Sequence, residues 1–182
     1  MKQALHAAAT VPVATTGGPA DFVALTKPRL NLLVLITTLV GVYLGAPNGI
    51  PASVLLHTLF GTALVAGGAA ALNQVLERDT DSLMRRTRNR PLPGGRLGVA
   101  EATTFGLVLS CAGLAELAIG VNGLSATVAA LTLGSYVLVY TPLKRRTSLS
   151  TLVGAVPGAL PPVIGWVAAT GIINAPAFVL FG

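Results

Sequence analysis

Asn73-Gln74-Val75-Leu76-Glu77-Arg78-Asp79-Thr80-Asp81 leads, after Ser82-Leu83-Met84, into Arg85-Arg86-Thr87-Arg88-Asn89-Arg90-Pro91-Leu92-Pro93-Gly94-Gly95. Three of the chain's six acidic residues and six of its twelve basic residues fall between Glu77 and Arg96. The rest of the 182 residues are mostly apolar: 53% of the chain is hydrophobic, only 10% is charged, and the mean hydropathy is +0.76. A soluble domain carries about 25% charged residues. So little charge cannot cover a water-facing surface, and lipid must be the solvent for most of this chain. The 21 glycines suit membrane helices that pack closely through small residues. The net charge of +6 gives no support to nucleic-acid binding, because the basic residues cluster in loops beside apolar runs, where they set topology. Cys111, the single cysteine, sits inside an apolar run and excludes an internal disulfide.

Working outward from the charged stretch, five apolar runs approach the roughly 20 residues needed to cross about 30 Å of hydrocarbon. They cover about Leu30–Ala46, Ala52–Leu76, Val99–Gly120, Leu124–Tyr140 and Leu149–Thr170. A sixth begins at Ala175 and has run only to Gly182 where the sequence stops. Every second loop is basic: Lys27 and Arg29 before the first run, Glu77–Arg96 after the second, and Lys144-Arg145-Arg146 after the fourth. The intervening loops are uncharged. This alternation predicts five complete crossings, with the N-terminus and the basic loops on the cytoplasmic side. Only helices and closed barrels satisfy their backbone in lipid, so the expected fold is an all-α transmembrane helical bundle. Met1 to Ala24 lacks the compact apolar core of a signal peptide and is expected to be a flexible leader, with the membrane domain occupying 25–182.

The charged stretch has a pattern of its own. Asn73, Glu77 and Asp81 recur every four residues, which on a helix places them along one stripe, drifting about 40° and rising about 6 Å per step. Two carboxylates and an amide on one stripe suit a cation between them. Oxygen donors of this kind fit Mg²⁺, which is commonly held by one or two carboxylates together with substrate phosphates. Asp79 falls nearly opposite, as a supporting or solvated group. Guanidinium groups are suited to bidentate phosphate contacts, so the neighbouring arginines supply the complementary half. The pattern therefore reads as a diphosphate site. The plainer alternative, a solvated helix end beside a basic cytoplasmic loop, has no use for acids and an asparagine at helical spacing. Near the membrane boundary an unpaired Asn73 is also costly.

Asn73-x-x-x-Glu77-x-x-x-Asp81 resembles the first acidic motif, Asn-x-x-x-Asp-x-x-x-Asp, of the intramembrane aromatic prenyltransferase superfamily. Arg86-Thr87-x-Asn89-Arg90-Pro91-Leu92-Pro93-x-Gly95 is similar to the stretch that follows it there. Leu25-Thr26-Lys27-Pro28-Arg29 and Tyr140-Thr141-Pro142-Leu143-Lys144-Arg145-Arg146-Thr147-Ser148, continuing through Gly154 to Trp166, narrow the resemblance to the heme-farnesylating branch. Nearly all of the chain after residue 20 is covered. The resemblance implies a nine-helix enzyme that joins the farnesyl group of farnesyl diphosphate to a vinyl group of heme B. Water is added and diphosphate leaves, giving heme O, which a downstream heme-modifying enzyme can take up. Asn73, Glu77 and Asp81 would hold Mg²⁺–diphosphate, and Lys27, Arg29, Arg86 and Arg90 would contact phosphate. Lys144, Arg145 and Arg146 would meet heme propionates or diphosphate, or simply obey the positive-inside rule. Glu77 departs from the motif's aspartate by a longer arm.

The resemblance also implies about three further helices and a second acidic motif, which this sequence does not contain. The chain is accordingly expected to be an N-terminal fragment with half a diphosphate site, inactive alone. The alternatives are a prenyltransferase for a quinone precursor or a chlorophyll-type acceptor, a membrane transporter using the acidic residues as an ion site, and a non-catalytic assembly subunit. The absence of an Arg-rich amphipathic leader points to a bacterial plasma membrane over a mitochondrial inner membrane. His57 is either a heme-iron ligand or a packing residue, and Glu116 is an intramembrane carboxylate without an assigned role. Pro157, Pro161 and Pro162 are expected to break the fifth span and open cavity space. Trp166 is expected in an interfacial belt.

Overall fold

The computed structural model describes residues 17–144, 146–147 and 149–182, and all of the regular structure among them is helical. The elements are α1 (Pro19–Leu25), α2 (Pro28–Gly45), α3 (Ala52–Leu83), α4 (Val99–Gly120) and α5 (Gly123–Gly134). A π-helical segment (Ser135–Tyr140) follows, then α6 (Thr141–Leu143), α7 (Ser150–Thr170) and α8 (Ala175–Phe181). α2, α3, α4, the stretch Gly123–Leu143 and α7 are each long and apolar enough to cross a membrane. The protein is a multi-pass membrane protein. Its outer surface agrees: Leu30, Leu32, Leu33, Ile36 and Leu39 on α2, and Leu56 and Phe60 on α3, are all exposed.

Close backbone approach holds the bundle together. α3 packs along α4, α2 along α7, and α5 also against α7. A Cβ on Gly41 would overlap the carbonyl oxygen of Pro162, and one on Gly165 would overlap that of Thr38. Along α3 and α4, Gly61, Gly68, Gly106 and Gly113 are similarly filled by the facing helix. Helices in lipid gain little from apolar burial against one another. Small residues that bring backbones into van der Waals contact therefore carry the association. Val65, Leu117, Val128, Val163, Ile164 and Val167 pack between α3, α4, α5 and α7. A second cluster of Leu25, Ala71, Leu92, Leu97 and Ala102 closes the other end.

Two expectations change. The leader expected over Met1 to Ala24 lies outside the described residues up to position 16, but Pro19–Leu25 is helix α1. Leu25 is fully buried, Phe22 meets Phe105 edge-on at 5.1 Å, and Arg96 Nε donates to Asp21 Oδ1 at 2.8 Å. These contacts order a segment whose composition alone looked featureless. The expected break in the fifth span is absent as well: α7 runs through Pro157, Pro161 and Pro162 without interruption. Cavity space is nonetheless present, and Pro157 and Pro161 line it.

The π-helical segment ends just before Pro142. Proline has no N–H to give the carbonyl four residues back, and its ring crowds that carbonyl. Widening the preceding turn relieves both problems, and such insertions are frequent at functional sites. Far along α3 from the acidic stripe, His57 Nδ1 and Glu116 Oε1 lie 2.6 Å apart, joining α3 to α4. Trp166 Nε1 donates to Asn174 Oδ1 at 3.0 Å and ties the end of α7 to the start of α8.

Candidate functional site

The last turns of α3 carry Asn73, Glu77 and Asp81, and all three are buried. Each is held by a cation from a different part of the chain. Lys27 Nζ, between α1 and α2, donates to Asn73 Oδ1 at 3.0 Å. Lys144 Nζ, just after α6, lies 3.1 Å from Glu77 Oε1. Arg90 Nη1, from the loop after α3, pairs with Asp81 Oδ2. Helical periodicity aligns the acceptors, and three returns of the chain to the same end of the bundle supply the cations.

Local structure aims each cation. Lys27 has a left-handed backbone, φ 48°, just before Pro28. That conformation costs a non-glycine residue about 1–2 kcal/mol and persists where its surroundings impose it. Here the imposing contact is Gln74 Nε2, which donates to the carbonyl oxygen of Leu25 at 2.8 Å and locks the α1–α2 turn onto α3. Burial pushes the Lys27 ammonium below its ordinary pKa, and the nearby Arg90 guanidinium adds to this. Glu77 and Asp81 act in the opposite direction, and Lys144 again lowers it. Arg90 is placed by a folded-back loop in which Thr87 Oγ1 donates to the Asp81 carbonyl at 2.8 Å and Leu92 is buried. Asn73 Nδ2 donates to Thr141 Oγ1 at 3.0 Å, and Thr141 Oγ1 donates to the Tyr136 carbonyl at 2.8 Å. The stripe is thereby tied to the π-helical segment.

Beside this end lies a cavity of about 690 Å³ between α2, α3, the α5–π segment and α7. Its walls are mainly apolar, including Leu30, Val65, Ala69, Leu133 and Ile164. Lys27, Tyr136, Tyr140 and Lys144 also line it, and the two tyrosine rings are stacked with centroids 5.5 Å apart. Asn73, Glu77 and Asp81 themselves are not among the lining residues. Lys27 and Lys144 stand at the cavity wall, and the acidic stripe and Arg90 are not part of it.

The other expected residues fall elsewhere. Arg29 and Arg86 are exposed and do not line the cavity. Asp79 is exposed and pairs with Arg78. Arg146 borders a separate cleft with Leu76, Thr141 and Pro142. Arg145 lies outside the described residues. Sequence reasoning missed Gln74, Thr141, Tyr136 and Tyr140. Gln74 carried a usable signal, since an amide inside an apolar run needs a buried partner. Replacing Gln74 with Leu is expected to leave the Leu25 carbonyl unpaired, at a cost of about 1–3 kcal/mol. Thermal unfolding of the detergent-solubilised protein checks this.

The donor set fits a hard divalent cation only with help. Among the described residues there is no group of three or more His, Cys, Asp or Glu able to hold a metal by itself. Two carboxylates and an amide oxygen fit Mg²⁺ when substrate phosphates complete the shell.

The fold and site together define a membrane-embedded cavity with an acidic stripe and a ring of cations at one end. The chain belongs to the UbiA prenyltransferase family, whose model matches residues 34–182. Members of the family generally use divalent metal ions. The chain is 51% identical over 170 residues to a protoheme IX farnesyltransferase of Solibacter usitatus, covering 88% of this chain and 58% of that protein. It is 55% identical over 132 residues to one of Sorangium cellulosum, covering 72% and 47%. A third, from Myxococcus xanthus, is 51% identical over 161 residues, covering 88% and 54%. The chain thus spans about half the length of these relatives. A solved chain from work on digeranylgeranylglyceryl phosphate synthase in membranes shares the fold, with a TM-score of 0.79 at 18% identity over 89% of this chain and 56% of that one.

Proposed function

We propose that this protein transfers the farnesyl group of farnesyl diphosphate to a vinyl group of heme B, with water adding to the other vinyl carbon, giving heme O and diphosphate. The observation that carries this reading is the acidic stripe with its three cations at one end of an apolar cavity. It occurs in a chain about half identical to proteins named protoheme IX farnesyltransferase. Lys27, Lys144 and Arg90 bind and orient the diphosphate, and their charge stabilises the negative charge that grows on it as the allylic C–O bond lengthens. Asn73, Glu77 and Asp81 would hold Mg²⁺, which when bound supplies further neutralisation of the leaving diphosphate. The apolar walls keep water from the allylic carbon. The stacked faces of Tyr136 and Tyr140 favour a cationic carbon beside them. Arg29, Arg86 and the basic run Lys144 to Arg146 attract anionic substrates to this end from the aqueous side.

The bacterial relatives and the alternation of basic loops support a place in the bacterial inner membrane with the N-terminus in the cytoplasm. Incubating the purified full-length protein, at the length of its relatives, with farnesyl diphosphate, heme B and Mg²⁺, and resolving the hemes by chromatography with mass detection, is expected to yield heme O. Turnover of a quinone precursor with none of heme B would overturn the acceptor assignment. Ion flux without any prenyl transfer would overturn the class.

A further inference from the structure

We infer that Lys27, Lys144 and Arg90 are exchangeable counter-ions of the metal donors, so that divalent metal and diphosphate occupy the site as a unit. This rests on the metal–diphosphate reading above and adds how that site is loaded. Asn73 Oδ1, Glu77 Oε1 and Asp81 Oδ2 are each engaged by one of the three cations. The same oxygens are the metal donors proposed here. Lys27 and Lys144 line the cavity, whereas the residues they bond do not. A metal approaching from the cavity must therefore displace both lysines from the stripe.

A displaced ammonium beside an apolar cavity needs another anion, because a buried unpaired charge is strongly unfavourable. The phosphate oxygens of a diphosphate arriving with the metal provide it, and they complete the metal's shell at the same time. Metal alone gains carboxylates only by stranding cations. Diphosphate alone gains cations only by stranding carboxylates. Together they exchange the Lys144–Glu77 and Arg90–Asp81 ion pairs and the Lys27–Asn73 hydrogen bond for metal–oxygen bonds on one side and phosphate–cation contacts on the other. The coupling is reciprocal by linkage.

Lys144 is the counter-ion to test, since its side chain is half exposed and a glutamine in its place can still donate a hydrogen bond to the buried Glu77. The probes are Mn²⁺ and inorganic pyrophosphate on the purified protein in detergent, with free Mn²⁺ read by electron paramagnetic resonance and pyrophosphate by radiolabel. With Mn²⁺ alone, Lys144→Gln is expected to tighten binding by about three- to tenfold, as a competing ion pair is removed. Lys144→Arg, which keeps charge and donor, should bind like the wild type. Arg88→Gln removes an exposed cation of the same loop as Arg90, and a change below about twofold is expected, as its charge is solvent-screened. Labelled pyrophosphate should bind the wild type in the presence of Mn²⁺ and poorly without it.

Equal tightening in Lys144→Gln and Arg88→Gln would reduce the effect to bulk charge and overturn the exchange. Unchanged or weaker Mn²⁺ binding in Lys144→Gln would overturn it as well. Independent binding of Mn²⁺ and pyrophosphate would sink the exchange but leave the metal–diphosphate site standing. Failure of the wild type and every variant to bind Mn²⁺ with pyrophosphate would overturn the proposed function itself.

Discussion

In the full-length protein, replacing Asp81 with Asn is expected to lower the proposed heme O formation by about two to three orders of magnitude, the usual cost of removing one charge-stabilising group from a transition state. Asp81 is buried and faces Arg90, and its backbone carbonyl accepts from Thr87. Asparagine keeps its shape and its backbone contact, so the fold should survive. The negative charge is lost, and with it the partner of Arg90 and one donor of the acidic stripe. The same change at Asp79 is the control. Asp79 is on the opposite side of the helix from the stripe, exposed, and paired with Arg78. It should retain activity within about twofold, as surface ion pairs contribute little. Initial rates of heme O formation across both variants provide the measurement. Equal losses at the two positions would show that the effect is the general charge of the helix end.

The second large effect is on stability. Replacing Gly41 with Val should lower the thermal midpoint of the solubilised protein by several degrees, because the added atoms fall on the carbonyl of Pro162. Overpacking a tight core costs about 1–3 kcal/mol, and here the obstruction is backbone, which cannot rotate aside. α2 must move off α7, and since both helices wall the cavity, the proposed farnesyl transfer should fall with stability. Gly134→Ala is the comparison. Gly134 has ordinary helical backbone and open space at its Cβ position, so alanine there should leave the midpoint unchanged or raise it slightly. A Gly41→Val protein as stable as the wild type would show that α2 and α7 do not meet as described.

The bundle was legible along the chain because lipid imposes a one-dimensional rule. Apolar runs near the needed length, separated by loops of alternating charge, placed all five spans. Val99–Gly120 came out with the observed bounds, and the others differ from their helices only near their ends. The acidic stripe was legible for the same kind of reason: Asn73, Glu77 and Asp81 are near in sequence, and helical periodicity alone aligns them. α1 was not legible, because what orders it is Arg96 and Phe105, far along the chain. The continuity of α7 through three prolines was not legible either, since its packing against α2 outweighs the local cost of the missing N–H groups.

What the chain determined by itself was therefore its solvent, its helices and the row of oxygen donors, each set by composition or by contacts a few residues apart. Which cation meets which donor was decided only by tertiary structure. Lys27 is 46 positions from Asn73, and Lys144 is 67 from Glu77. No local periodicity links positions so distant. Their meeting depends on where Gln74 pins the α1–α2 turn, on how the π-helical segment carries the chain to Lys144, and on how closely the glycines let the helices approach.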